Sequence, residues 1–253
     1  MISSSPGVEP YRSSVFMTEQ LSLELVQPLR YSSSAFFVHT GVEDAVRTVT
    51  TLSGKRNFSI TYIRGEKCSG KTHLGVYLVG RHQERNGRAR LISGSSLVSW
   101  FSEELPGTPI HPWELVVIDD ADLCLGEGMC QGILVDLIER ISRQKGSLVL
   151  IGGADPEAIP TSPQLRSRLN AGLYLAVGGP KETELDPLLD LITKQRGLQL
   201  SESKRAYVLK RVERTIPALV NCVERVEDSS FLGDASTSFH KLSDALTVES
   251  SES

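Results

Sequence analysis

The run Gly65-Glu66-Lys67-Cys68-Ser69-Gly70-Lys71-Thr72 constrains this chain more than any other feature. It matches the phosphate loop G-x-x-x-x-G-K-[ST], which works only between the end of a strand and the start of a helix. Both flanks are present. Residues 58–64 are a short run of β-branched and aromatic side chains, which predicts a strand. Residues 72–86 carry a helical pattern closed by Gly87. Glycines let backbone N–H groups curl around phosphate oxygens, and the helix N-terminus adds its dipole. Lys71 supplies positive charge to the β/γ-phosphates, and the Thr72 hydroxyl is a Mg²⁺ ligand. Residues Gly65, Glu66, Lys67, Cys68, Ser69, Gly70, Lys71, Thr72 and His73 are therefore the candidate site for ATP or ADP.

Such a site needs an acid at the end of a buried strand. Leu115-Val116-Val117-Ile118-Asp119-Asp120 supplies it. Asp119 is expected to hold Mg²⁺ through water, and Asp120 to position or deprotonate an attacking water. Further strands are expected at 88–93, 148–151 and 173–177, with helices at 95–105 and 129–144. Strands alternating with helices predict a parallel sheet covered on both faces. After Gly178-Gly179-Pro180 the pattern turns helical, over 182–195, 202–212 and 216–227. The expected organisation is a leader over 1–19, a peptide segment over 20–30, an α/β domain over 31–179, a helical lid over 180–230 and a Ser-rich tail over 231–253. The leader reads as disordered, and the tail holds one short helix near 239–246.

Charge and composition exclude several classes. Lys plus Arg number 27 against 31 for Asp plus Glu, a net charge of −4, and the pI is about 5.8. A nucleic-acid-coating protein carries a basic excess, so direct DNA binding is expected to be weak or absent, although a local patch can bind DNA on an acidic chain. The basic stretch Lys204-Arg205, Lys210-Arg211 and Arg214 reads as a solvated helix face with Glu202 and Glu213 interleaved. No apolar run approaches the length of a membrane span, and no signal-peptide pattern opens the chain, so no membrane role and a cytoplasmic setting are expected. Cys68, Cys124, Cys130 and Cys222 lack C-x-x-C spacing and read as reduced thiols. The five histidines show no metal-ligand spacing, and Trp100 and Trp113 read as core or edge aromatics.

Gly70-Lys71-Thr72-His73-Leu74 and Val117-Ile118-Asp119-Asp120-Ala121 resemble the AAA+ domain of the DnaA family of bacterial replication initiators, with the likeness running over about 20–226. The resemblance implies a P-loop AAA+ parallel sheet followed by a small all-helical lid. No origin-reading helix-turn-helix domain is expected after the lid, which is the pattern of the family's regulatory-inactivator (Hda) branch. Gln20-Leu21-Ser22-Leu23-Glu24-Leu25 is similar to the sliding-clamp-binding motif of that branch, apart from Glu24 where Pro is usual. In an extended peptide Leu21, Leu23 and Leu25 share one side and Gln20 fixes the register. The hexapeptide alone fits an edge strand or amphipathic linker equally well. Ser167-Arg168-Leu169 resembles the family's arginine-finger element, with Arg166 as second candidate and a pair of surface arginines as the plain alternative.

Two positions depart from the family. Ala154 stands where a polar sensor is expected, with Asp155 one residue late. Pro217 stands at the lid's sensor arginine, with Arg214 nearby but out of register. Together these imply nucleotide binding with weak or no intrinsic hydrolysis. The function implied is a clamp-docked regulator that stimulates hydrolysis of ATP bound to DnaA and so restrains replication initiation. Its partners would be DnaA, the DNA polymerase III sliding clamp and a second copy of the chain. The alternatives are an independent DnaA-like ATPase acting on DNA, such as a helicase loader or transposition helper, and a nucleotide-stabilised scaffold without trans catalysis.

Overall fold

The computed structural model describes residues 36–107, 109–126 and 128–230. The leader, the segment 20–25 and the Ser-rich tail with its short helix lie outside the described residues. Five strands, β1 (Ser59–Gly65), β2 (Ala89–Ser93), β3 (Leu115–Asp119), β4 (Ser147–Gly152) and β5 (Leu173–Val177), form one sheet in the order β2-β3-β4-β1-β5. All its pairs are parallel. Helices α1 (Thr40–Gly54), α2 (Lys71–Glu84), α4 (Asp122–Leu125), α5 (Gly128–Arg143) and α6 (Pro163–Asn170) flank it.

The two faces are legible in the strand alternation. Val117, Val149 and Ile151 turn toward α1 and α2, where they meet Val42, Val49, Leu74 and Leu78. Val116, Ile118, Leu148 and Leu150 turn the other way, onto Leu134, Leu137 and Ile141 of α5 and Leu165 of α6. Strands β3 and β4 are buried on both faces, which is why they read as unbroken apolar runs. Each fully buried leucine or isoleucine contributes roughly 1.5–3 kcal/mol.

Where a continuous helix was expected over 95–105, the chain instead runs through a 3₁₀ turn (Gly94–Ser96), one α turn, α3 (Leu97–Ser99), and a π turn (Trp100–Glu104). The wider turn, closed by the Leu105 N–H on the Trp100 carbonyl at 2.9 Å, brings Trp100 and Leu105 into the core together. Arg90 lies 5.4 Å over the Trp100 ring. Trp113 is the exposed edge aromatic.

Beyond the sheet, a 3₁₀ turn (Glu182–Glu184) leads into α7 (Leu185–Gln195), α8 (Glu202–Leu209) and α9 (Ile216–Ser230). These helices pack around their own core, with Leu189, Val208, Leu219 and Val226 at its centre. In the basic stretch of this part Lys210, Arg211 and Arg214 are exposed, as expected of a solvated face, whereas Arg205 is tucked in. Arg205 forks onto Asp186 at 2.8 Å and Asp190 at 3.2 Å, stapling α8 to α7. Arg211 lies over the Tyr207 ring at 3.7 Å, and Arg214 pairs with Glu182 at 2.6 Å. Among the described residues no helix is long and apolar enough to cross a membrane. The four cysteines are free, with Cys68 exposed and the others buried.

Candidate functional site

Strand β1 lies between β4 and β5, and its carboxyl end delivers the chain into the loop 65–70. Gly65 is required there by close approach. A Cβ on it would stand 2.6 Å from Ser69 Oγ and 2.7 Å from Val177 Cγ2. The loop turns through two left-handed residues, Cys68 at φ +67° and Gly70 at φ +83°. Gly70 fits this without strain, whereas Cys68 is a residue type that rarely adopts it. A turn closes from the Ser69 N–H to the Glu66 carbonyl at 3.3 Å. Helix α2 then starts on Gly70, which has no side chain with which to cap it. The first-turn N–H groups of a helix have no intrahelical acceptor, so this end is built to meet an anion.

Lys71 Nζ donates to the carbonyls of Gly65 at 2.9 Å and Glu66 at 2.7 Å. Its ammonium is thus folded over the mouth of the loop. Glu66 and Lys67 are exposed at the rim, and Thr72 is exposed in the first turn of α2. The Thr72 hydroxyl lies close enough to the carboxylate of Asp119, at the end of β3, to favour its charged form, so the sequence-predicted Thr72 and Asp119 do come together. Asp119 is buried, and its Oδ1 has no hydrogen-bond partner. Burial pushes its carboxyl up; the Thr72 hydroxyl, the Asp120 N–H and Lys71 pull it back, while the charge of Asp120 pushes it further up. Ser69 Oγ is likewise buried without a partner. A buried carboxylate oxygen facing a threonine hydroxyl and a lysine is chemistry that fits a divalent cation carried on phosphates. Among the described residues no group of three or more His, Cys, Asp or Glu could hold a metal by itself, so Thr72 and Asp119 are the protein's available contribution.

Asp120 is exposed, at φ +50°. Its carbonyl closes on Gly94, where any Cβ would collide with it. The third acid of the run, Asp122, went unread in the sequence and does specific work. Its Oδ1 accepts the Tyr62 hydroxyl at 2.9 Å, and its Oδ2 accepts the N–H groups of Gly153 at 2.5 Å and Ala154 at 3.2 Å. Asp122 therefore holds the turn after β4, where a polar sensor was expected. Asp155 turns away, pairing with Arg64 at 3.1 Å and accepting the Glu157 N–H at 3.0 Å. The signal available was the spacing Asp119-Asp120-Ala121-Asp122, which sets three acids in the turn that follows β3.

The helical part closes over the loop. Ile216 Cδ1 lies 3.6 Å from where a Gly70 Cβ would stand, and Pro217 follows it in the first turn of α9. Arg214 is engaged with Glu182 rather than with the loop. Residues ahead of α1 complete the surround. Phe36 stacks on Tyr77 at 4.7 Å and meets His73 edge-on at 5.3 Å. His39 caps α1 and is held below its usual pKa by burial. Glu184 accepts the Thr40 N–H at 2.8 Å, tying α1 to the helical part.

Arg168 lies on α6, away from this loop. Its guanidinium pairs with Glu139 of α5 at 2.6 Å and donates to the Gln164 carbonyl at 3.0 Å. Arg166 donates to the Ile159 carbonyl at 2.9 Å.

No family model matches the chain. An uncharacterised protein of Haemophilus influenzae is 28% identical over 176 residues, covering 67% of this chain and 73% of that protein. Domain III of the Thermotoga maritima replication initiation protein DnaA superposes with a TM-score of 0.68 at 16% identity, covering 85% of this chain and 97% of that one. AMPPCP-bound DnaA from Aquifex aeolicus gives 0.64 at 17% identity, over 80% and 66% of the two chains. The Thermotoga maritima RuvB branch migration motor gives 0.64 at 18%, over 87% and 72%. The chain thus has the DnaA-like AAA+ fold: a five-stranded parallel sheet with helices on both faces, followed by a helical part.

Proposed function

We propose that the chain is a nucleotide-binding regulator that docks on the replicative sliding clamp and stimulates hydrolysis of ATP held by DnaA, working in the cytoplasm. The observation that carries the reading is the juxtaposition of the loop 65–72 with Thr72 and Asp119 in a DnaA-like fold, beside a turn after β4 whose Ala154 offers no polar side chain and a lid turn that carries Pro217. Similar solved structures include DnaA bound to AMPPCP and single-stranded DNA.

In this reading the loop N–H groups and α2 N-terminus hold the phosphates of ADP or ATP, and Lys71 swings from the Gly65 and Glu66 carbonyls to the outer phosphates. Thr72 and Asp119 hold Mg²⁺, which when bound neutralises charge on the phosphate oxygens. Phe36, Tyr77 and His73 give an aromatic wall beside the loop that suits a base. Asp120 is the residue available to orient a water. With Pro217 and Ala154 at the two sensing positions, intrinsic turnover stays slow, below the roughly 1–10³ s⁻¹ of typical enzymes. Arg168 acts on a neighbour, since its own contacts lie on α5 and α6. The segment 20–25 supplies the clamp contact.

The intact pair Asp119–Asp120 favours a second reading, an ATPase in its own right. One assay separates the two: turnover of ATP bound to purified DnaA, with and without this chain and DNA-loaded clamp, beside turnover by this chain alone. Stimulated DnaA turnover supports the regulator. Brisk turnover by the isolated chain supports the second reading.

A further inference from the structure

The loops that enter the strands form the end of the sheet opposite the phosphate loop. In sheet order they are 85–88 ahead of β2, 109–114 ahead of β3, 143–146 ahead of β4 and 54–58 ahead of β1. They bring five exposed cations together: Arg85, Arg88, Lys145, Lys55 and Arg56. The loops are fastened to one another. Arg56 lies 4.5 Å over the Trp113 ring, the Trp113 N–H donates to the Gln144 carbonyl at 2.9 Å, and Arg88 contacts His111 Nε2 at 2.8 Å.

Among the described residues none of these five cations is paired with a carboxylate. Their neighbours are. Arg81 meets Glu84 at 2.9 Å, Arg90 meets Glu114 at 2.5 Å, and Arg143 lies 3.6 Å from Glu139. The acids at this end are thereby matched, and a local excess of five positive charges stands on a chain whose net charge is −4. With neighbouring strands about 4.8 Å apart, the row from β2 to β1 spans about 14 Å.

We infer that this row of cations, at the strand-entry end of the sheet, binds the phosphodiester backbone of duplex DNA independently of base sequence. Over about 14 Å of axis a duplex presents roughly eight negative charges and a single strand about four. Five cations about match a single strand and leave a duplex partly unneutralised, so charge count does not by itself select the duplex. What favours the duplex is that single-strand binding relies on open aromatic platforms. Here one face of the exposed Trp113 ring is already covered by Arg56. Three of the five, Arg56, Arg85 and Arg88, are arginines, which can fork onto phosphate oxygens. The cluster is assembled from separate loops, so no basic run marks it in the sequence. This binding goes beyond the regulator reading and needs neither clamp nor DnaA.

The test is anisotropy of a short labelled duplex titrated with the full chain. With about three phosphates engaged, affinity should fall roughly 40-fold between about 50 and 200 mM salt. Arg85→Glu combined with Lys145→Glu should weaken binding at least about tenfold, since repulsion replaces two contacts. A single strand of equal length should bind more weakly than the duplex. Arg85→Gln with Lys145→Gln should shift affinity in the same direction by less, and decides the matter if the charge reversal lowers the melting temperature. Wild-type affinity in a folded charge-reversed variant, or equal or tighter binding of the single strand, overturns the inference. So does binding to phosphatidylserine vesicles without binding to the duplex.

Discussion

Lys71 and Asp119 carry the nucleotide proposal at the scale of single residues. The ammonium of Lys71 makes two short hydrogen bonds inside the loop, and charge-assisted bonds to phosphate are worth about 1.5–3 kcal/mol each. Lys71→Ala should therefore weaken binding of a fluorescent ADP by roughly tenfold to a hundredfold; unchanged affinity contradicts the site. Asp119 is buried with its carboxyl pushed up, mainly by burial. A raised pKa in the fold means that the ionised form is the one folding disfavours. Asp119→Asn should thus raise the melting temperature of the nucleotide-free chain at neutral pH. The same substitution should abolish the extra stabilisation that Mg²⁺ adds to bound ADP. A lower melting temperature with the Mg²⁺ increment intact would show that Asp119 serves the fold alone.

Among the elements, the turn after β4 is fixed by a device that spans β1, α4 and β4. Tyr62 donates to Asp122, which accepts from Gly153 and Ala154, and burial with the neighbouring carboxylate drives the Tyr62 hydroxyl well above its usual pKa. Tyr62→Phe leaves Asp122 short of a donor and should cost about 1–3 kcal/mol in urea unfolding. A cost near zero would mean that water replaces the hydroxyl. Strands β3 and β4 were legible because each is a buried apolar run; β5 matches its expected range of 173–177. Helix α1 was not read, although Val42, Ala45 and Val49 line one face behind a His39 cap. Helix α6 was also missed, although Ser162 and Pro163 give it a cap and a first-position proline. The π turn at 100–104 had no local signal, since it depends on Trp100 and Leu105 meeting the core. Asp122 was hidden for a related reason: its partners come from β1 and from the turn after β4, distant in sequence.

Across the whole molecule, the sheet, the strap at 36–41 and the helical part converge on one loop, with Ile216 reaching toward Gly70 and Glu184 holding Thr40. Nucleotide occupancy should therefore stabilise the chain as a unit, since a ligand held by the fold but not by the unfolded chain raises the melting temperature. The proposed clamp contact is the segment 20–25, which lies outside the described residues. Replacing Leu21 and Leu23 by Ala should weaken clamp binding by two or more decades, from roughly 1.5–3 kcal/mol for each buried leucine, without altering the melting temperature. Clamp binding equal to wild type removes that segment from the account.

Arg168 concentrates the regulator proposal. Its guanidinium is partly exposed and held by Glu139 and the Gln164 carbonyl, contacts it would exchange for the γ-phosphate held by a neighbour. Such an arginine is worth about 10³–10⁵ in rate in GTPases, and lysine lacks its planar fork. The most direct measurement is formation of DnaA-bound ADP on clamp-loaded DNA with wild type, Arg168→Ala and Arg168→Lys. The account predicts stimulation by wild type, loss with Arg168→Ala despite normal nucleotide and clamp binding, and little recovery with Arg168→Lys. Full stimulation by Arg168→Ala, or none by wild type, would contradict it.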